Sequence, residues 1–183
     1  VTDTEKFVTP KAAHQYWAKH AYEILTETAG RYDAVITYSE LAEEVQRRSS
    51  LWTKSPMRGW IGTLLADLVR VSAAREEPAL TSLVVHKDDG QVGPGYDAVM
   101  RLEGEPVATD TLARETHAAA MRLECYRHWG ADVPADATPK VSAKLRVVRA
   151  TTPRTAAVEP RRGAVCPTCF MEMPVSGPCP NCA

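Results

Sequence analysis

The stretch Thr37-Tyr38-Ser39-Glu40-Leu41-Ala42 decides how the chain is read. Thr37 and Glu40 stand three residues apart ahead of an apolar pattern, which is the form of a capping box. The Thr37 hydroxyl can accept from the Glu40 amide while the Glu40 carboxylate reaches back to the Thr37 amide. A helix therefore starts at Thr37, with Leu41, Ala42 and Val45 on one face, until Arg47-Arg48-Ser49-Ser50 breaks the pattern. A further helix is expected from Pro56 to about Ala74, where Met57, Ile61, Leu64, Leu65, Leu68 and Val71 form a core stripe. The other face of that helix is small: Gly59, Gly62, Thr63 and Ala66, with Arg70 continuing the side. A face stripped of bulk lets another backbone come close, either a nucleic-acid strand or the preceding helix.

Beyond Pro78 the period changes. Leu80-Thr81-Ser82-Leu83-Val84-Val85 is rich in strand-forming residues and ends at Asp88-Asp89-Gly90, a turn signal. Gly93-Pro94-Gly95-Tyr96 follows as a rigid loop, with Ala98-Val99-Met100 as a return strand. Helix, turn, helix and hairpin is the order of a winged helix, with the hairpin as wing and the preceding helix as reader. The fold class expected is mainly α with a small β-hairpin, a winged-helix-like core carrying, at the paired cysteines Cys166, Cys169, Cys179 and Cys182, a C-terminal zinc ribbon. The domains are an N-terminal helical part over 1–35, the core with a trailing helix over 36–131, a basic linker over 132–163 and the ribbon over 164–183.

Outside the core, residues 10–29 read as a helix. Pro10 suits its first turn, Ala13, Trp17, His20 or Ala21, and Ile24 recur at helical spacing, and Gly30 ends it. Residues from Leu112 to Trp129 read as another, with Leu112, Thr116, Ala119, Leu123 and Tyr126 inward and Arg114, Arg122 and Arg127 as a solvated face. Cys125 within it reads as a buried thiol. Val141 to Val148 alternates enough for a strand, and 150–160 reads as a tether.

The last eighteen residues hold Cys166-Pro-Thr-Cys169 and Cys179-Pro-Asn-Cys182. Two tight turns bearing four thiolates suit a tetrahedral Zn²⁺ at Cys166, Cys169, Cys179 and Cys182, and a segment so short needs metal to order itself. Four thiolates fill the coordination shell, so the zinc is structural. A pair of disulfides is the alternative; a chain without a secretory pattern points instead to a reducing, cytoplasmic setting. Val1 at the first position suggests a GTG start, and the Ala, Arg, Val and Pro richness a high-GC bacterium or its phage.

The net charge of −1 hides a division. Residues 140–162 carry seven basic groups against Glu159, or +6, whereas residues 1–139 hold 15 basic and 21 acidic groups, or −6. A basic strip of that kind collects phosphates by counterion release or serves as a solvated linker. No run is long enough to span a membrane.

The elements from Ile36 to Tyr96, about a third of the chain, resemble the C-terminal winged-helix domain of the alkylguanine-DNA alkyltransferases and their alkyltransferase-like relatives. That family opens its first DNA-binding helix with Tyr-x-x-Leu-Ala, matched by Tyr38 to Ala42. Its Arg-Ala-Val-Gly segment falls where this chain has Gly59-Trp60-Ile61-Gly62, and its Pro-Cys-His-Arg-Val-Val where Leu80 to Val85 stand. Gly90 and Gly93 to Tyr96 take the place of the Gly-rich wing. The resemblance implies a DNA-binding scaffold with Tyr38 as a phosphate or strand contact. Thr81, Ser82 and Leu83 replace the reactive cysteine, histidine and arginine, so alkyl transfer has no nucleophile. Arg58 is the only substitute for the inserted arginine.

These readings converge on a non-enzymatic bacterial or phage DNA-binding protein for regulation or defence, with no membrane association and no small-molecule substrate. Arg58 and Arg70 would reach backbone or bases, Arg47, Arg48 and Lys54 would hold phosphates, Lys87 would touch an adjacent strand, and Lys144, Arg146 and Arg149 would add salt-dependent affinity. The competing class is an adaptor whose acidic body and ribbon bridge protein partners. An enzyme built from His86, Asp97 and Tyr96 ranks third.

Overall fold

The computed structural model describes residues 6–108 and 110–145. The ribbon cysteines Cys166, Cys169, Cys179 and Cys182, together with Arg146 and Arg149, lie outside the described residues.

The chain is mainly helical. Strand β1 (Lys6–Phe7) leads into α1 (Pro10–Ala29); β2 (Ile36–Thr37) leads into α2 (Tyr38–Ser49) and β3 (Leu51–Trp52) follows. A 3₁₀ turn (Met57–Gly59) precedes α3 (Ile61–Ala74), a second (Leu80–Leu83) precedes β4 (Val84–Val85), and a third (Pro94–Tyr96) precedes α4 (Asp97–Leu102) and α5 (Thr111–His128). Thr9 caps α1 through the Ala12 amide, with Pro10 in the first turn. The Thr37–Glu40 box forms in both directions, and Ser50 closes α2 in the left-handed region at φ 53°.

The expected hairpin is corrected. Among the described residues both strand pairs are parallel, Lys6–Phe7 on Leu51–Trp52 and Ile36–Thr37 on Val84–Val85. Parallel pairing needs a crossover, and the helices between the paired strands supply it. The supposed return strand Ala98-Val99-Met100 is helical because its buried positions are Tyr96, Val99 and Met100, at helical rather than alternating spacing. Four consecutive buried residues, Leu80 to Leu83, form a tight turn instead of a strand. That turn packs against α1, α3 and α5, so burial on every side gives no period to read. Residues 143–145 are helical where a strand was expected.

Helix α1 packs across both α2 and α3. The main core joins Trp17, Leu25, Leu41, Val45, Leu64, Leu68, Leu83 and Tyr126, and a smaller one gathers Val69, Val92, Tyr96, Val99 and Ala118. Helix α5 departs from its expected face. Thr116 is exposed, whereas Glu115 and Arg122 are buried against each other at 2.7 Å. Arg122 also donates to the Ser82 carbonyl at 2.7 Å, and Glu115 accepts from the Val92 amide at 3.1 Å. This pair pins both ends of the segment running from the 3₁₀ turn through β4 to the glycine loop. A buried pair needs further hydrogen bonds to offset its desolvation, and the Ser82 carbonyl and the Val92 amide supply two of them.

Among the described residues, no helix is long and apolar enough to cross a membrane.

A candidate ligand pocket at the foot of the third helix

A cavity of about 440 Å³ opens between α3, the start of α2 and the glycine loop. Ile61, Leu65 and Val69 from α3 and Pro94 from the loop make its walls apolar. Its polar groups are few: Tyr38, Thr81, His86, and Arg58 from the turn before α3. Pockets that bind flat organic rings have this balance of apolar wall and a few placed polar atoms.

Each polar group is fixed by local structure. The capping box that starts α2 places Tyr38 at its first residue, and the Tyr38 hydroxyl accepts from the Gly93 amide at 3.2 Å. Burial pushes the Tyr38 phenol up, with that amide opposing the shift. His86 lies against the Tyr38 ring, centroids 4.8 Å apart at 32°. The backbone at His86 is held by a turn, its amide donating to the Gln91 carbonyl at 2.8 Å and its carbonyl accepting from Gly90 at 2.8 Å. Gly93 fits closely, because a Cβ there would stand 2.8 Å from the Tyr38 oxygen and 3.0 Å from His86 Nε2, and those side chains would have to shift.

Thr81 is 7% exposed and its hydroxyl has no hydrogen-bond partner, although the residue borders the cavity. Leaving a hydroxyl buried and unmatched costs about 1–3 kcal/mol, and the Thr81 oxygen itself is closed to solvent, so a ligand group would reach it only if the cavity wall shifted. Thr81 stands where the resembled family has its cysteine, and a threonine hydroxyl with no adjacent base is a poor nucleophile but a good hydrogen-bonding group. Tyr96 also borders the cavity, yet its hydroxyl is occupied by His117 Nδ1 at 3.1 Å, and the far ring nitrogen of His117 meets Glu103 at 3.0 Å. Asp97 is taken by Arg114 at 2.6 Å. His86 and Tyr96 thus share a cavity, and Asp97 does not join them.

The small face of α3 does not pack on the preceding helix. Gly59 and Gly62 have nothing within 4 Å of the place a Cβ would occupy. The nominated cations divide sharply. Arg47 binds Glu44 at 2.6 Å, Arg48 binds Glu27 at 2.6 Å and Glu44 at 2.9 Å, and Arg70 is paired with Asp67. Those three are already neutralised by acids. Lys144 donates to the Asp88 carbonyl. Lys54, which lies 5.4 Å over the Phe7 ring, Arg58 and Lys87 form no ion pair among the described residues.

Sequence reasoning missed Thr81 as a polar group of a pocket, His86 as a wall and the Glu115–Arg122 brace. Two signals were present: the residues aligned with the resembled family's reactive motif, and the i, i+7 spacing of Glu115 and Arg122 on one helix face. Cys125 is the buried thiol expected, with burial pushing it up to about 12. Among the described residues, no cluster of three or more histidine, cysteine, aspartate or glutamate side chains is placed to hold a metal. No protein-family model, no curated protein and no solved structure matches this chain.

Proposed function

We propose that this chain is a non-enzymatic DNA-binding protein of the bacterial or phage cytoplasm that lays the open face of α3 on the nucleic acid and receives an unstacked base in the pocket beside it. Its core is winged-helix-like in the order of α2 and α3, with the glycine loop in the place of a wing. The observation that carries the reading is the join between the glycine face of α3, open to solvent, and a mostly apolar pocket with an unmatched Thr81 hydroxyl. A backbone without side chains admits a strand closely, and Arg58, which borders the pocket without an ion pair among the described residues, adds positive charge at that join. A flat ring with hydrogen-bonding edges fits the pocket's chemistry, and extrusion costs least for a base already mismatched or unpaired. The residues in place of the alkyltransferase motif supply no activated nucleophile, so the pocket reads a base without changing it.

The strip over 140–162 adds sequence-independent affinity. The four C-terminal cysteines would hold a structural zinc, a donor set with no open position for chemistry.

Fluorescence anisotropy with a paired duplex, a duplex carrying one unpaired base and a single strand, each at two salt concentrations, tests the proposal. Affinity should fall with salt and be strongest for the unpaired-base duplex. Equal affinity for all three would remove the pocket from the reading. No binding at low salt would remove nucleic acid, and the acidic body would then favour the adaptor.

A further inference from the structure

Strand β1 carries a second surface, next to the pocket along the chain. Its pairing with β3 sets Phe7 in register with Trp52, with Lys6 just before the one and Lys54 two residues beyond the other. Both residues of β1 are exposed, and Phe7 leaves 59% of its surface open to water. Val8 packs against the main core, and extended backbone turns neighbouring side chains to opposite sides, so burying Val8 sends Phe7 outward. A groove of about 580 Å³ passes the ring, bordered by Phe7, Val8 and Thr9 on one side and by residues 53–56 on the other. No acidic side chain borders it.

The charge here is open, unlike that of Arg47, Arg48 and Arg70, which face carboxylates. Lys54 lies over the Phe7 ring, and neither Lys54 nor Lys6 forms an ion pair among the described residues. Pro56 ends the groove, and the next two residues, Met57 and Arg58, border the pocket beside α3. Four residues separate Lys54 from Arg58, so their backbones stand at most about 14 Å apart. About four stacked nucleotides cover that distance at about 3.4 Å each. One ring among lysines is too small for a stable protein partner, which needs about 800 Å² a side. A nucleobase needs only a ring face, with cations near enough for its phosphates.

We infer that Phe7 is a stacking platform for an unpaired base of single-stranded DNA, with Lys54 and Lys6 on the flanking phosphates. The strand that places one base in the pocket passes Arg58 and delivers a second base to the ring. The subsite rests on the DNA-binding reading for that path, whereas its own ring and charges stand apart from the pocket.

Anisotropy of the full chain with a single-stranded oligothymidylate, beside the paired and unpaired-base duplexes, tests the platform. Phe7→Leu keeps an apolar side chain and removes the ring, and should weaken oligothymidylate binding about fivefold or more. Phe7→Tyr keeps the ring and should stay within about twofold of the parent. Lys54→Glu should lower the salt slope by about one. In Phe7→Trp, the emission added by the new indole should be quenched as the oligothymidylate binds. Equal affinity of parent and Phe7→Leu overturns the platform, and so does an equal loss in Phe7→Leu and Phe7→Tyr. Self-association of the parent that disappears in Phe7→Leu, followed by sedimentation, would give the ring to a second copy and refute the platform as well. A preference for the unpaired-base duplex that persists while Phe7→Leu has no effect leaves the pocket reading standing without the platform. Ring-dependent oligothymidylate binding with no preference among duplexes supports the platform and sinks the pocket reading instead. A parent that binds none of the three probes refutes both.

Discussion

Replacing Thr81 with valine separates stability from binding. Valine has nearly the same shape as threonine, so the swap removes the hydroxyl while leaving the packed volume in place. The Thr81 hydroxyl is buried with no partner, and an unmatched hydroxyl costs about 1–3 kcal/mol. Taking the lower end, Thr81→Val should stabilise the chain by about 1 kcal/mol, which raises the melting temperature by about 2–4 °C for a domain of this size. If the hydroxyl meets a base edge in the complex, the same change loses a hydrogen bond of about 0.5–1.5 kcal/mol. The unpaired-base duplex should then bind about 2- to 12-fold more weakly, a tenfold change being about 1.4 kcal/mol. The two effects have opposite signs, which a merely damaged fold would not produce. Urea denaturation followed by circular dichroism gives the first, and anisotropy gives the second. A variant less stable than the parent would mean that a water already satisfies the hydroxyl. A more stable variant with unaltered affinity would refute the role of the pocket.

Other expectations follow from the same geometry. Gly93→Ala sets a Cβ against the Tyr38 oxygen and the His86 ring, so ligand affinity should fall about tenfold or more, with a stability loss of about 1–3 kcal/mol from overpacking in a melt. Arg122→Met strands the buried Glu115 carboxylate and frees the Ser82 carbonyl, and urea unfolding should register a loss of about 3–5 kcal/mol; a change below about 1 kcal/mol would deny the brace its role. Glu44 is held down to about 2, from an ordinary value near 4.5, by hydrogen bonds from Arg47 and then Arg48. Because the folded value is depressed, its stabilisation is present above pH 4.5 and fades as pH falls toward 2. Glu44→Gln should therefore lower the melting point at pH 7 by a degree or two, as about 0.5 kcal/mol implies, and converge on the parent only as pH falls below about 2. Metal analysis of the purified full chain should find about one zinc per chain, and its removal by chelator should leave the helical circular dichroism of α1 to α5 largely unchanged; a metal-free chain would dismiss the ribbon.

Much of the helical framework was legible because its signals are local. The Thr37–Glu40 box, the Pro10 start and the Leu64–Leu68 stripe each depend on residues within a turn or two of one another, and α1, α2 and α5 begin and end within a residue or two of their expected bounds. Misreadings outside that framework include the inward face of α5 and the helical residues 143–145, and the rest lie between Leu80 and Met100, where a continuous apolar run has the composition of a strand but is surrounded by helices. Composition cannot separate a buried turn from a buried strand, because both need apolar side chains in succession.

What the sequence alone determined is where α1, α2 and α5 start and stop, the apolar stripe of α3, and that Cys125 is a buried thiol. What only the tertiary structure decided is which charges remain available and where unmatched donors gather. Arg47, Arg48 and Arg70 look like phosphate contacts in one dimension, yet folding sets carboxylates against them. Thr81 and Trp60 look like ordinary core residues, yet folding removes water from their polar atoms without supplying a partner. Local structure follows from neighbours along the chain, whereas the satisfaction of a charge or a hydrogen bond follows from groups that meet only when distant segments pack together.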